Sequence, residues 1–144
     1  MTFRFKLIKW FSSFHKYVLL KSNGRMMNNL LSHKILLLEN IGRKTSIIYQ
    51  TPLLYIKYNG PDFLIVGSFG GHNNHPAWFL NIKDNKKAHI IIKGKRIEVA
   101  LEILSCKEKE TAWNELIKSY PGFSDYQNRT TRSIPVIKFT PVSN

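Results

Sequence analysis

Two hydrophobic periods divide the chain. Over the first segment Phe3, Leu7, Trp10, Phe11, Phe14 and Val18 recur at helical spacing, with Lys6, Lys9, Ser12, Ser13 and Lys16 opposite them. Positions three and four apart share one helical face, so the segment predicts a basic amphipathic helix. From residue 32 the pattern becomes that of strands. "KILLLEN" is a short apolar run bounded by Asn and Gly and predicts a buried strand; "IIYQTPLLYIKY" predicts a longer one, with Pro52 at an edge or bulge because it has no ladder donor. Asn59 to Asp62, "NGPD", is a turn signal before the strand "FLIVGS", and "AHIIIKGKRIEVALEIL" predicts two strands about a Lys93-Gly94-Lys95 turn. "HPAWFLNIKDN" predicts a short helix with Pro76 in its first turn and Trp78, Phe79 and Ile82 on one face. A second helix opens on a capping box, Ser105 with Glu108, carries Trp113, Leu116, Ile117 and Tyr120 at helical spacing, and stops at Pro121-Gly122. "GFSDYQNRTTRS" is expected to be a loop leading to a last strand, "IPVIKFT".

About six mostly consecutive strands with two or three helices predict a mainly β fold with some α, an antiparallel barrel with helical caps. The expected organisation is a helical segment over residues 1–31 and the barrel over residues 32–144. No βαβ alternation, Gly-x-Gly-x-x-Gly or Walker loop is present, which argues against a classical nucleotide-binding fold. The single cysteine, Cys106, cannot form an intrachain disulfide and points to a reducing compartment. Arg4, Lys6 and Lys9 interrupt the apolar residues at the start, so neither a signal peptide nor a membrane span is expected. The expected location is cytoplasmic.

Charge widens the choice of partner rather than narrowing it. The formal net charge of +13, from 22 Lys plus Arg against 9 Asp plus Glu, attracts any polyanion: nucleic acid, anionic lipid or a phosphorylated cofactor. Metal chemistry has little to work with. His72 and His75 stand three apart, but a catalytic zinc needs three oriented ligands, and the nearby acid, Asp84, lies on the following helix. Ser68 lies outside any Gly-x-Ser-x-Gly elbow. Two stretches remain. Gly42 to Ser46, "GRKTS", sets a planar guanidinium, a point charge and hydroxyls in a bend suited to phosphate. Gly67 to Gly71, "GSFGG", follows a buried strand with glycines that let a backbone approach a flat ring, and Phe123 and Tyr126 lie in a later segment able to cover it.

Taken in order, Gly-Arg-Lys-Thr, Thr-Pro-Leu, Ser-x-Gly-Gly, His-Pro-x-Trp-x-x-Asn and, after Tyr126, Arg-x-Ile-Pro resemble the deazaflavin-dependent nitroreductase family. These are split β-barrel oxidoreductases that use coenzyme F-420, and the resemblance covers residues 32–141. It implies a six-stranded FMN-binding split-barrel-like fold with reduced F-420 as cofactor and FMN as the alternative. It places the cofactor's phosphate and tail near Arg43, Lys44 and Thr45, and its ring against Gly67, Ser68, Gly70 and Gly71, flanked by Pro52, Trp78 and Asn81. It implies hydride transfer to a quinone, nitroaromatic or similar conjugated acceptor, with Ser68 and Tyr126 binding the acceptor and Tyr126 the proton donor. It further implies a peripheral association of residues 1–20 with an anionic membrane at the inner face of the cell, the other reading being that their apolar stripe caps the chain's own core, and a homodimer is possible for such a barrel. Specific nucleic-acid binding is not expected. The chain departs from the family pattern at Ser46, where Gly is usual, at Tyr49, where a second Arg is usual, and at Phe69, where Lys is common. The competing reading is a non-catalytic split barrel that binds flavin, haem or lipid, or a basic nucleic-acid-binding protein.

Overall fold

The computed structural model describes residues 34–143, and the amphipathic segment expected over residues 1–31 lies outside them. The strands are β1 (Ile35–Ile41), β2 (Ile48–Leu54), β3 (Ile56–Tyr58), β4 (Asp62–Val66), β5 (Lys87–Ile92), β6 (Lys95–Ile103) and β7 (Val136–Pro141). They form one seven-stranded sheet, ordered β2-β1-β5-β6-β7-β4-β3, with antiparallel pairs throughout. The helices are α1 (Ala77–Ile82), α2 (Cys106–Ser119) and α3 (Gly122–Asn128), and a single 3-10 turn covers Phe69–Gly71.

The topology itself closes the sheet. β2 and β3 occupy opposite edges, yet only Tyr55 separates them in the chain. Two residues of extended backbone reach roughly 7 Å, so the two edges must meet. The result is a curled, split β-barrel. Its seventh strand is the difference from the expected six: the run "IIYQTPLLYIKY" is not one strand but two. Tyr55 breaks it by turning its ring into the core, edge-on to Phe63 at 5.4 Å. Pro52 sits within the edge strand β2, where a missing ladder donor is tolerated.

The core follows from strand alternation. In β1, Leu36, Leu38 and Asn40 are buried and the residues between them are not, so one face lines the barrel. Leu36, Leu38, Ile65, Ile90, Val99 and Phe139 meet inside with the α1 residues Trp78, Phe79 and Ile82. The buried α1 residues therefore share a face, as their spacing predicts. β4 is buried along both faces at Phe63–Val66, because its neighbour β7 is covered on the outside by α2. Lys138 of β7 ties that helix down: its ammonium lies 2.8 Å from Glu102 of β6 and 2.8 Å from Glu108 of α2. Hydrogen bonds to both carboxylates hold this lysine above its ordinary pKa.

Two local expectations change. Ser105 stands at the N-cap of α2 but makes no side-chain cap bond, and Glu108, the expected partner of the capping box, is drawn to Lys138 instead. A charge-assisted contact to the sheet outweighs a local bond worth about 1 kcal/mol. The segment expected to be a loop after Gly122 forms α3, whose Phe123 and Tyr126 pack against Tyr120.

Candidate functional site

Helix α1 connects the two stretches singled out by sequence. Its entry, His75-Pro76, adjoins the glycine loop, and its last turn carries Asn81. Asn81 Oδ1 accepts from the Arg43 backbone N–H at 3.1 Å and from Arg43 Nη1 at 3.2 Å, while Asn81 Nδ2 donates to Asn40 Oδ1 at 2.8 Å. Asn40 is buried and in turn donates to Thr51 Oγ1 at 3.1 Å. One amide thus fixes the Gly-Arg-Lys-Thr bend to α1. Pro76 to Asn81 spans roughly 8 Å at helical rise, which sets the scale between the two stretches.

Within the bend the backbone does much of the work. The Ser46 N–H donates to Gly42 O and the Gly42 N–H to Ile47 O, each at 2.8 Å, closing a tight turn between β1 and β2. Thr45 Oγ1 accepts from the Ile47 N–H at 3.3 Å and lies 3.3 Å from the Tyr49 hydroxyl. The Tyr49 ring packs so closely on Gly42 that a Cβ there would lie 2.8 Å from Cε2. The tyrosine found where the resembling family carries arginine therefore braces the turn. Arg43 and Lys44 are exposed, and Lys44 has no polar partner among the described residues. Ser46 adopts φ +58, the left-handed conformation that explains why glycine is usual at this place. Ser46→Gly is accordingly expected to stabilise the chain by about 0.5–1 kcal/mol, strain relief being partly offset by unfolded-state entropy, and thermal unfolding checks this.

The glycine loop separates into three different roles. A Cβ on Gly67 would lie 2.7 Å from Pro135 Cγ, and its N–H donates to Pro135 O at 2.9 Å. A Cβ on Gly71 would lie 2.6 Å from Tyr126 O and 2.9 Å from Arg129 Cβ, at φ +80. Those two glycines serve packing within the chain. Gly70, at φ +63, has no atom within 4 Å of where a Cβ would stand among the described residues. Its face is therefore open among the described residues. Next to it Ser68 is 9% exposed, and its hydroxyl has no hydrogen-bond partner among the described residues. Phe69 projects outward from a left-handed backbone, φ +47, with its ring 5.1 Å from that of His72.

Two arginines hold this loop, and neither role is visible in the sequence. Arg132 donates to Gly67 O, Ser68 O and His72 O at 3.1, 2.9 and 2.8 Å, and its Nη1 lies 3.2 Å from His75 Nδ1. Arg129 Nη1 donates to Gly70 O at 3.3 Å, and its guanidinium lies 5.3 Å from the centre of the Tyr126 ring. Gln127 secures the connection by donating to Arg132 O and accepting from the Ile134 N–H. Tyr126 is buried, with its hydroxyl 3.3 Å from that of Tyr120. Burial, then the bond to Tyr126, raises the Tyr120 pKa far above that of a free tyrosine, so this hydroxyl stays protonated at all working pH.

The structure thus gathers Gly67, Ser68, Gly70, Gly71 and Tyr126 in one cluster and Arg43, Thr45 and Asn81 in a second, joined by α1. Trp78 is a core residue, edge-on to Phe79 at 6.1 Å, and Pro52 lies half-buried in β2. No group of three or more His, Cys, Asp or Glu able to hold a metal occurs among the described residues. His75 instead accepts from Arg132 at the entry of α1. The fit to a planar anionic cofactor rests on Gly70's open face, Ser68's unpartnered hydroxyl and the free charge of Lys44.

Comparison with known proteins gives the same answer from an independent direction. The family model for F420H(2)-dependent quinone reductase matches residues 12–141. The F420H(2)-dependent quinone reductase Rv1261c of Mycobacterium tuberculosis is 33% identical over 125 residues, 81% of this chain and 83% of that protein. Among solved structures, an F420-H2 dependent reductase, FDR-A, is 30% identical with a TM-score of 0.66, over 74% of this chain and 94% of that one. A domain-swapped dimer is 26% identical with the same TM-score of 0.66, over 92% of this chain and 98% of its own. Sequence motif, barrel topology and these matches agree, and the chain belongs to the F420H(2)-dependent quinone reductase family.

Proposed function

We propose that the chain reduces a quinone with reduced coenzyme F-420, the cofactor lying along α1 between the glycine loop and the Gly-Arg-Lys-Thr bend. The observation that carries this reading is the pairing of Gly70's open face with the buried, unpartnered hydroxyl of Ser68. When bound, reduced F-420 supplies the hydride. The protein's own share is binding and orientation. Gly70 lets a ring reach the backbone, Ser68 Oγ hydrogen-bonds a carbonyl, and Arg43 and Lys44 attract the anionic tail. Tyr126 is the group we assign to acceptor binding and proton supply, with Tyr120 holding its hydroxyl in place.

Several finer points belong to the same reading. Nitroaromatics are further acceptors of the same conjugated, electron-poor class. The net charge of +13 supports attraction of residues 1–20 to an anionic membrane surface from the cytoplasmic side, where a lipid quinone would be met. The similarity to a domain-swapped dimer supports a homodimer. The helical segment 1–31 and the barrel 32–144 are proposed as separate units of organisation.

The test is a titration of the chain with F-420 and with FMN side by side, followed by loss of the reduced-state absorbance when a menaquinone is added. Saturable binding of F-420 and turnover are expected; neither appearing at high ligand concentration would remove the reading. Steep salt dependence on an oligonucleotide, with no F-420 binding, would favour the nucleic-acid alternative. Lys44→Ala is expected to weaken F-420 binding by about 1 kcal/mol, because an exposed charge is screened, and the loss should shrink as salt rises.

A further inference from the structure

We propose that Arg132 is a positioning residue that sets the backbone of the glycine loop for the cofactor, and that neutral His75 is the fourth acceptor of its guanidinium. The inference rests on the cofactor reading above. The guanidinium uses four of its five N–H donors here: Nη2 reaches Gly67 O and Ser68 O, Nε reaches His72 O, and Nη1 reaches His75 Nδ1. These acceptors flank the residues that the cofactor reading uses, Ser68 and Gly70, on both sides. The arginine comes from the connection before β7, so its bonds join parts of the chain 57 to 65 residues apart. No lysine can reproduce this arrangement, because its donors radiate from one atom.

The fourth bond makes the clamp sensitive to protons. Arginine can only donate, so His75 Nδ1 must accept, which requires the neutral ring with its proton on Nε2. The charged groups facing His75 are Arg132 from the pre-β7 connection and Lys83 after α1; the Phe79 ring, 4.9 Å away, covers its other side. Burial first, then Arg132 and Lys83, push its pKa below the ordinary histidine value. Protonation turns an acceptor into a donor facing a guanidinium. With its folded-state pKa lowered in this way, His75 stays neutral and the clamp intact at and above about 6.5, and the clamp is lost as pH falls through the lower folded-state value.

The experiment measures amide hydrogen exchange, as protection factors, on the full chain without ligand, together with F-420 affinity. The amides to follow are Gly71, donating to Ser68 O, and His72, donating to Phe69 O. In the wild type their protection and the affinity are expected to hold from about pH 7.5 to about pH 6.5 and to fall several-fold as the pH is lowered further, through the folded-state pKa of His75. His75→Asn keeps an acceptor near the Nδ1 position but does not titrate, so it should bind F-420 as the wild type does at neutral pH and lose the pH dependence. Any ionisation of F-420 itself cancels when variants are compared at one pH. Arg132→Lys is expected to lose affinity roughly tenfold at both pH values, with protection lost in residues 67–72. Persistence of the full pH dependence in His75→Asn overturns the clamp, as does Arg132→Lys behaving as wild type or losing protection equally across β4 to β7. No F-420 affinity in any variant, wild type included, overturns the cofactor reading and this positioning role with it.

Discussion

Gly71→Ala is expected to lower stability by about 2–5 kcal/mol, the sum of a left-handed backbone forced on an alanine and an overpacked contact. The backbone part follows from φ +80. The contact part is specific to this glycine: the new methyl would lie 2.6 Å from Tyr126 O, 2.9 Å from Arg129 Cβ and 3.1 Å from Tyr126 Cα. Two of those three are backbone atoms of α3, which cannot rotate away as the end of a flexible side chain would. Relief has to come from moving the 3-10 turn off α3, which also strains the Arg129 bond to Gly70 O. Gly94 supplies the control. It has a nearly equal φ of +79 with no described atom within 4 Å, so Gly94→Ala carries the backbone part alone, about 1–2 kcal/mol. Urea unfolding of the two variants measures the difference, and equal losses would show that the loop does not rest on α3 as described.

The same pair of glycines marks the limit of what sequence patterns reveal. That "GSFGG" requires flexible backbone after a buried strand is legible, because glycines cluster where the chain must take up conformations closed to residues with a side chain. Which glycine faces Pro135, which faces Tyr126 and which faces outward depends on parts of the chain more than fifty residues distant. The Arg-x-Ile-Pro motif marks Arg132, but its role escaped for the same reason. An arginine in a polar loop carries no periodic signal, and its partners are backbone carbonyls, which every sequence contains.

Elements show a similar division. β1, the β5–β6 hairpin and α1 were legible because alternation, a Lys-Gly turn and a 3.6-residue face are local signals that tertiary packing reinforces. The break at Tyr55 was not, since an apolar aromatic continues an apolar run whether or not the backbone turns there. α3 was hidden by its composition: "GFSDYQN" is polar and opens on glycine, and it is helical because Phe123 and Tyr126 bury themselves against Tyr120. Family motifs located the bend and the loop, while the departures from those motifs became intelligible only in three dimensions. Tyr49 braces Gly42, and Ser46 and Phe69 both hold left-handed backbone, two of five non-glycine residues to do so among the described residues. Backbone strain of this kind concentrates where a protein meets its ligands, and here it falls on both stretches assigned to the cofactor.

Gly70→Ala is expected to have the opposite profile from Gly71→Ala: a small effect on folding and a large one on F-420. Its backbone is left-handed, φ +63, so an alanine costs about 1–2 kcal/mol of stability, but the methyl meets no described atom within 4 Å. In the proposed complex that space is where the ring approaches the chain. A methyl there has to be accommodated by the ligand, and overpacking of this kind costs about 2–3 kcal/mol, on the order of a hundredfold in affinity. Ser68→Ala provides the comparison, because it removes one uncharged hydrogen bond without adding volume and should cost about 1 kcal/mol. Dissociation constants for reduced F-420, measured with both variants shown to be folded by their melting curves, decide the matter. An unchanged affinity in Gly70→Ala would mean that the open face of this glycine looks onto water and that the ring lies elsewhere.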